Sequence, residues 1–462
     1  MSPVPPAIDA ATSRDPARPP RSVRRRHDRE IVALALPAFG ALVAEPLFVM
    51  VDSAVVGHLG TAQLAGLGVA AALLTTAVNV FVFLAYATTA AVSRRVGAGD
   101  LPAALRQGVD GVWLALLIGA LVVAAVLPTA PGLVDLFGAS PTAAPYASSY
   151  LRISALGIPA MLMVLAATGV LRGLQDTRTP LYVAVAGFTV NAGLNAALVY
   201  GAGLGIAGSA WGTVIAQNGM AAVYLTVVVR GARRQAPDAW RSVLRPDLAG
   251  IRACARAGVP LLVRTLSLRA VLMIATAVAA GLGDTSIAAH QITLTVWSLL
   301  AFALDAIAIA GQAIIGRFLG AGDAAGARAA CQRMIQWGLV CGIVLGVLVV
   351  LARPVVGPLF TSDPAVRQAL DSALLVVALA QPVCGVVFVL DGVLTGAGDG
   401  PYLAWSMLVT LVVFAPVAFV VPVVGGGLTA LWWAMGLMML TRFAGLWLRS
   451  RSGRWAVTGA SR

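Results

Sequence analysis

The sequence predicts an all-α polytopic membrane protein of twelve transmembrane helices in two parallel six-helix repeats. Three observations predict it. Of 462 residues, 59% are hydrophobic and only 11% charged, and the mean hydropathy is +0.90. Apolar runs long enough to cross a bilayer recur along the chain, and each is read as a helix because hydrocarbon offers no partner to a free peptide group. Third, the chain repeats itself. Pro37 recurs as Pro260, Gly60 as Gly283, Arg94 as Arg317, Phe137 as Phe360, Pro159 as Pro382 and Asp176 as Asp399, always 223 residues on. The run Gly97-Ala98-Gly99-Asp100 recurs as Gly320-Ala321-Gly322-Asp323, and Trp211 matches Trp433 after a one-residue slip. A duplicated, strongly apolar chain is the signature of a secondary transporter whose two bundles move about a central site.

Residues 1–30 are Pro- and Arg-rich with few large apolar side chains, and read as a disordered tail. They carry no cleavable signal, and the first apolar segment is long enough to stay in the membrane. The segments run roughly 31–57, 66–92, 109–130, 148–171, 180–200 and 206–229, an N-terminal lobe spanning 31–229. An Arg-rich linker, 230–258, carries Trp240, Pro237 and Pro246, and reads as holding a short amphipathic helix. A C-terminal lobe, 259–448, follows with segments at roughly 259–281, 286–315, 335–352, 369–394, 402–423 and 428–448, then a tail, 449–462. Pro159 and Pro382 are expected to kink the fourth helix of each lobe. In the Gly-Ala-Gly-Asp runs, glycine permits a tight turn and the Asp caps the next helix. With no phosphate-binding Lys and no preceding strand, these runs do not read as a nucleotide site.

The formal charge is +13, and all 32 basic residues are Arg. Orientation follows from them. With the N-terminal tail inside, Arg94, Arg95, Arg106, Arg172, Arg178, the linker cluster, Arg317, Arg328, Arg333 and the C-terminal arginines fall in cytoplasmic loops and tails, leaving Arg353 and Arg367 outside. Both termini are therefore expected in the cytoplasm of a cell with the chain in its inner (cytoplasmic) membrane. An even number of helices per half makes the repeats parallel. No folded basic domain is visible, so nucleic acid is not an expected partner. Cys254, Cys331, Cys341 and Cys384 have neither metal nor redox spacing. No metal or cofactor is expected, and no clustered catalytic set argues for an enzyme. The expected partners are the lipid bilayer and a small-molecule substrate, with the chain a monomer.

The duplication also sorts residues. What both copies hold is scaffold; polar residues private to one copy need another reason. Asp52 lies on the first helix opposite Ala275 in the repeat, Asn191 and Asn195 share one face of the fifth helix, and Thr213 lies on the sixth. The second lobe has Arg264 and Arg269 on its first helix, Asp305 opposite Val82, and Asp391 opposite Thr168. A carboxylate at membrane depth is costly and is by default a functional hypothesis. The competing readings are a headgroup-level position for Asp52, interhelical hydrogen bonds for the two asparagines, and ion pairs of Asp305 and Asp391 with Arg264 or Arg269. Glu45, beside Pro46, partners an Arg or lines the cavity. His290 reads as an interfacial residue near the outer surface.

The stretch from Glu45-Pro46-Leu47 through Val51-Asp52-Ser53 to Val56-Gly57-His58-Leu59-Gly60 resembles the first helix of multidrug and toxic compound extrusion (MATE) transporters, as do Arg317 through Asp323 and Leu390-Asp391-Gly392 through Gly398-Asp399. The resemblance covers nearly all of the chain after residue 30, and is greatest to the DinF-like branch. It implies two six-helix lobes in a V shape and export of drugs or metabolites by antiport with H⁺ or Na⁺. It puts the coupling-ion site in the N-terminal lobe on Asp52, Asn191 and Thr213, with Asn195 where relatives often hold a second Asp. Glu45, Arg264, Arg269, Asp305 and Asp391 are then candidates for the substrate cavity, the exported compounds are read as cationic or amphipathic, and an Asp391 facing the cavity would favour cationic ones. The alternatives are a lipid-linked precursor flippase of the same superfamily and a polytopic membrane enzyme.

Overall fold

The structure, a computed structural model, describes residues 21–235, 237–238 and 240–461, apart from a few side chains on the first helix that include Glu45. The first twenty residues of the expected disordered tail lie outside the described residues.

The N-terminal half runs α1 (Arg21–Gly57), α2 (Thr61–Phe81), α3 (Phe83–Gly97), α4 (Leu101–Leu136), α5 (Ala144–Ala155), α6 (Ile158–Gly173), α7 (Arg178–Ala196) and α8 (Gly205–Gln235). A five-residue helix, α9 (Trp240–Leu244), follows. The second half is α10 (Leu248–Gly281), α11 (Asp284–Gly320), α12 (Ala324–Phe360), α13 (Pro364–Gly396), α14 (Gly400–Val423) and α15 (Leu428–Arg451). Ten helical stretches among the described residues are long and apolar enough to cross a membrane, α2 with α3 counting as one, and the bent pair α5–α6 makes an eleventh. With the 37-residue α1, they occupy the twelve segments the sequence outlines. Most extend beyond their apolar runs, because a helix continues past the hydrocarbon until a cap stops it. The expected linker helix is α9, and α10 already begins at Leu248.

The repeated turns behave alike. Gly99 and Gly322 take φ of 78° and 80°, and the Asp that follows each caps the next helix: Asp100 accepts from the Ala103 amide at 3.0 Å and Asp323 from the Gly326 amide at 2.7 Å. The prolines do not. In the first lobe the helix breaks between α5 and α6, bending by 51°, while in the second α13 runs unbroken through Pro382. Pro159 follows Gly157, a weak helix former, whereas the equivalent of Gly157 is Ala380.

The first and last described segments of the chain meet on one face of the bundle, called here the tail face. Residues 21–30, expected in the disordered tail, are the opening turns of α1. Asp28 accepts from Arg333 Nε at 2.7 Å and from Trp337 Nε1 at 2.8 Å, and Glu30 pairs with Arg317. At the other end Trp455 is buried, and Arg94 of α3 donates to the Val457 carbonyl at 2.7 Å and the Gly459 carbonyl at 3.0 Å. The N-terminal helix thus ties to the second lobe and the C-terminal segment to the first. Between these ties α3 and α11 cross at backbone contact. A methyl on Gly320 would sit 1.9 Å from the Arg94 carbonyl oxygen, and one on Gly97 would sit 2.0 Å from the Arg317 carbonyl oxygen. This repeated pair closes the seam between the lobes at the tail face.

Candidate functional site

The first-lobe residues singled out by the duplication converge. Asp52 lies near the end of α1 remote from the tail face and is only 8% exposed. Its carboxylate accepts three hydrogen bonds: from Asn195 Nδ2 at 2.6 Å, Ser209 Oγ at 2.7 Å and Tyr150 Oη at 3.3 Å. All three donors are neutral, and among the described residues no basic group pairs with Asp52. One helical turn from Asn195, Asn191 donates from Nδ2 to Thr213 Oγ1 at 3.2 Å. Both asparagines are buried, and their carbonyl oxygens have no hydrogen-bond partner among the described residues. The four predicted residues therefore form one cluster carrying a single carboxylate.

Local structure explains the placement. Past Asn195 the α7 helix widens into a π-type turn, Ala197–Gly201, and such turns often mark functional sites. Tyr200 on this turn donates to the Val55 carbonyl at 2.6 Å, holding α7 against α1 one turn from Asp52. On α8, Gly212 lets Asn195 approach: a methyl there would lie 2.1 Å from Asn195 Oδ1. Gly212→Ala is accordingly expected to displace the amide from Asp52 and slow transport by about tenfold or more, the size of one lost hydrogen bond to a charged group. Transport rates in vesicles, set against an unchanged helical content, check this.

The cluster opens on a cavity of about 340 Å³ formed almost entirely by the first lobe, with Ile309 of α11 reaching it from the second, and lined by Asp52, Tyr150, Asn191 and Thr213 and, elsewhere, by Tyr86 and Arg172. Sequence reasoning missed Tyr150 and Ser209. Tyr150 faces Ala373 in the other copy, so the comparison that flagged Asp52 and Thr213 flags it too once tyrosine is counted as polar. Arg172 was assigned to a cytoplasmic loop by its charge. It is instead in the last turn of α6, 8% exposed and lining the cavity; Arg94 is likewise helical and buried.

The second-lobe charges form another cluster. Asp391 on α13 is bidentate to Arg264 on α10, with Nε–Oδ1 at 3.0 Å, and takes Arg442 of α15 at 3.2 Å. Arg442 was missed because it lies seven residues before the tail arginine Arg449 and reads with that group. Arg264 also lies 5.7 Å from the Tyr86 ring centroid, across the lobe interface. Arg269 and Asp305 are half-buried, and neither makes a hydrogen bond or ion pair with a described residue. None of these second-lobe residues lines the first-lobe cavity, and the side chain of Glu45 lies outside the described residues. With two guanidiniums on it, Asp391 is neutralised, so the ground for expecting a cationic substrate from that residue falls away. Asp391→Ala would strand both guanidiniums and is expected to cost about 3–5 kcal/mol, read as a lowered thermal midpoint in detergent. His290, expected at the outer surface, is fully buried, 5.6 Å from the Trp432 ring and 3.4 Å from Thr276 Oγ1.

A duplicated bundle of membrane-spanning helices, with a largely apolar cavity that carries a buried carboxylate cluster and is formed mainly by one half, defines a multi-pass transporter. The MatE family profile matches residues 37–197 and again 260–420, so both matched stretches start at the duplicated prolines. DETOXIFICATION 44, chloroplastic, of Arabidopsis thaliana is 33% identical over 92% of this chain and 83% of its own length. DNA damage-inducible protein F of Escherichia coli (strain K12) is 31% identical over 93% of this chain and 94% of its own. The bent form of the Vibrio cholerae MATE transporter VcmN superposes with a TM-score of 0.83 at 20% identity, over 94% of this chain and 98% of that one. The chain belongs to the MatE family of multidrug and toxic compound efflux transporters, and it is a transporter rather than an enzyme.

Proposed function

We propose that this chain is a monomeric secondary active transporter that exports small organic molecules across the cytoplasmic membrane by antiport with H⁺, both termini lying in the cytoplasm. One observation carries the coupling: Asp52 is a buried carboxylate held by three neutral donors with no basic partner among the described residues. A buried charge without a counter-charge is unstable, so the neutralising cation has to come from solution. A proton arriving from outside joins a carboxylate oxygen and removes the need for at least one of the three donors. That frees α1 to repack against α7 and α8, which reshapes the cavity those helices line. Export follows if the protonated lobe holds the substrate less well than the charged one, since a ligand shifts an equilibrium only by its differential affinity.

A second reading is favoured by the unpaired carbonyl oxygens of Asn191 and Asn195. With Asp52 they offer hard oxygen ligands to Na⁺. Proteoliposomes loaded with fluorescent amphipathic dyes separate the readings. Saturable efflux driven by an imposed pH gradient without Na⁺ supports proton coupling. Efflux that needs a Na⁺ gradient supports the second reading, and flux indifferent to both gradients contradicts antiport.

A further inference from the structure

Arg172 is a buried cation with no acidic side chain among the described residues in contact to neutralise it. It lies on α6, is 8% exposed, and lines the first-lobe cavity. Its guanidinium makes neither an ion pair nor a hydrogen bond with any described residue, whereas Arg264 and Arg442 are both bound to Asp391. Its position in the second copy is Thr395, so the repeat has not kept it as common frame. Around it stand Thr168, Tyr86 and Tyr224, all lining the cavity, with the Thr168 hydroxyl donating to Tyr224 at 2.9 Å. The Asp305 carboxylate is near enough to act on Tyr86 and Arg172 electrostatically but pairs with neither. Three guanidiniums, Arg172, Arg264 and Arg442, gather near two carboxylates, Asp305 and Asp391, an excess of positive charge among the described residues.

Leaving a guanidinium unpaired away from water is expensive, and its planar fork of donors matches a carboxylate or phosphate in geometry. The cavity supplies the rest of a ligand site: Met161, Val164, Leu165 and Met220 line it between the Asp52 cluster and Arg172. At about 340 Å³ it suits a ring-sized body. We infer that Arg172 is the residue that receives the oxyanion group of the transported molecule, making this first-lobe cavity a site for small amphipathic organic anions. The inference rests on reading the cavity as the substrate site and is independent of which ion drives transport.

Three naphthalene probes of matched shape test it at equilibrium with no gradient imposed, using the full-length protein in lipid-free detergent: 2-naphthoate, neutral 2-naphthalenemethanol and 2-naphthylmethylammonium. The wild type is expected to bind the carboxylate about tenfold or more tighter than the ammonium. Arg172→Gln should erase that preference and Arg172→Lys should keep part of it, while the neutral alcohol binds all three proteins alike. Unchanged alcohol binding shows that the variants are folded and the cavity intact. Preference of the wild type for the ammonium, or an anion preference that survives in Arg172→Gln, overturns the inference. Adding phosphatidylglycerol distinguishes a lipid phosphate from a soluble anion: naphthoate affinity should hold, and competitive displacement overturns the small-molecule assignment. Failure of gradient-driven efflux would overturn the antiport reading and leave these binding results standing.

Discussion

Asp52→Asn is expected to bring gradient-driven efflux down to the level of protein-free vesicles, with the protein still inserted and its thermal midpoint nearly unchanged. The side chains are isosteric, and the surrounding groups can adapt. Ser209 and Tyr150 are hydroxyls that can accept as readily as donate, so an amide at position 52 keeps partners. What the substitution removes is the ability to carry a charge that a cation can cancel. With no other acid among the described residues of the cluster, none of them takes over. The loss is therefore expected under both H⁺ and Na⁺ gradients. Transport at even a tenth of the wild-type rate would move the coupling step elsewhere in the molecule.

Gly320→Leu is expected to part the lobes at the tail face. The atom a side chain would meet is the Arg94 backbone oxygen, 1.9 Å from a Cβ, and a helix backbone cannot swing aside as a side chain does. Overpacking typically costs about 1–3 kcal/mol; here it has to be relieved by separating α3 from α11, since both are long and well packed. Ser93 reports on this seam, being fully buried with its hydroxyl oxygen 1.9 Å from a methyl built on Gly316. In a cysteine-free background, Ser93→Cys should resist a membrane-impermeant maleimide applied from the tail side and become reactive when Gly320→Leu is added, with a lowered thermal midpoint. Equal protection in both proteins would show that the seam is not held shut there.

The fold was largely legible because a membrane helix advertises itself. Every spanning segment needs a long apolar run, and the duplication halves the number of independent readings. The exceptions have local causes. The break before α6 depends on Gly157 preceding Pro159, a detail its repeat lacks. The opening turns of α1 are polar in composition yet ordered, because Asp28 and Glu30 meet Arg333 and Arg317 from the opposite half of the chain, a contact no local pattern reveals. The candidate site was legible to the extent that its residues are conspicuous in hydrocarbon. An acid and two amides stand out, and they do meet. Tyr150 and Ser209 did not stand out, since hydroxyls are common in membrane helices and often satisfied by their own backbone. Arg172 was misplaced for the opposite reason. Arginine at a helix end is so regularly a topological signal that its burial beside a cavity is visible only in three dimensions.

The central claim, that a cation entering at Asp52 is exchanged for the exported molecule, is tested most directly by following dye and proton together. Weakly buffered proteoliposomes holding a pH-sensitive reporter are given a transported dye and no Na⁺. The wild type should move protons in the direction opposite to the dye, at a fixed ratio, and Asp52→Asn should move neither. Dye flux in the wild type with no accompanying proton movement, or equal coupled fluxes in Asp52→Asn, would contradict it.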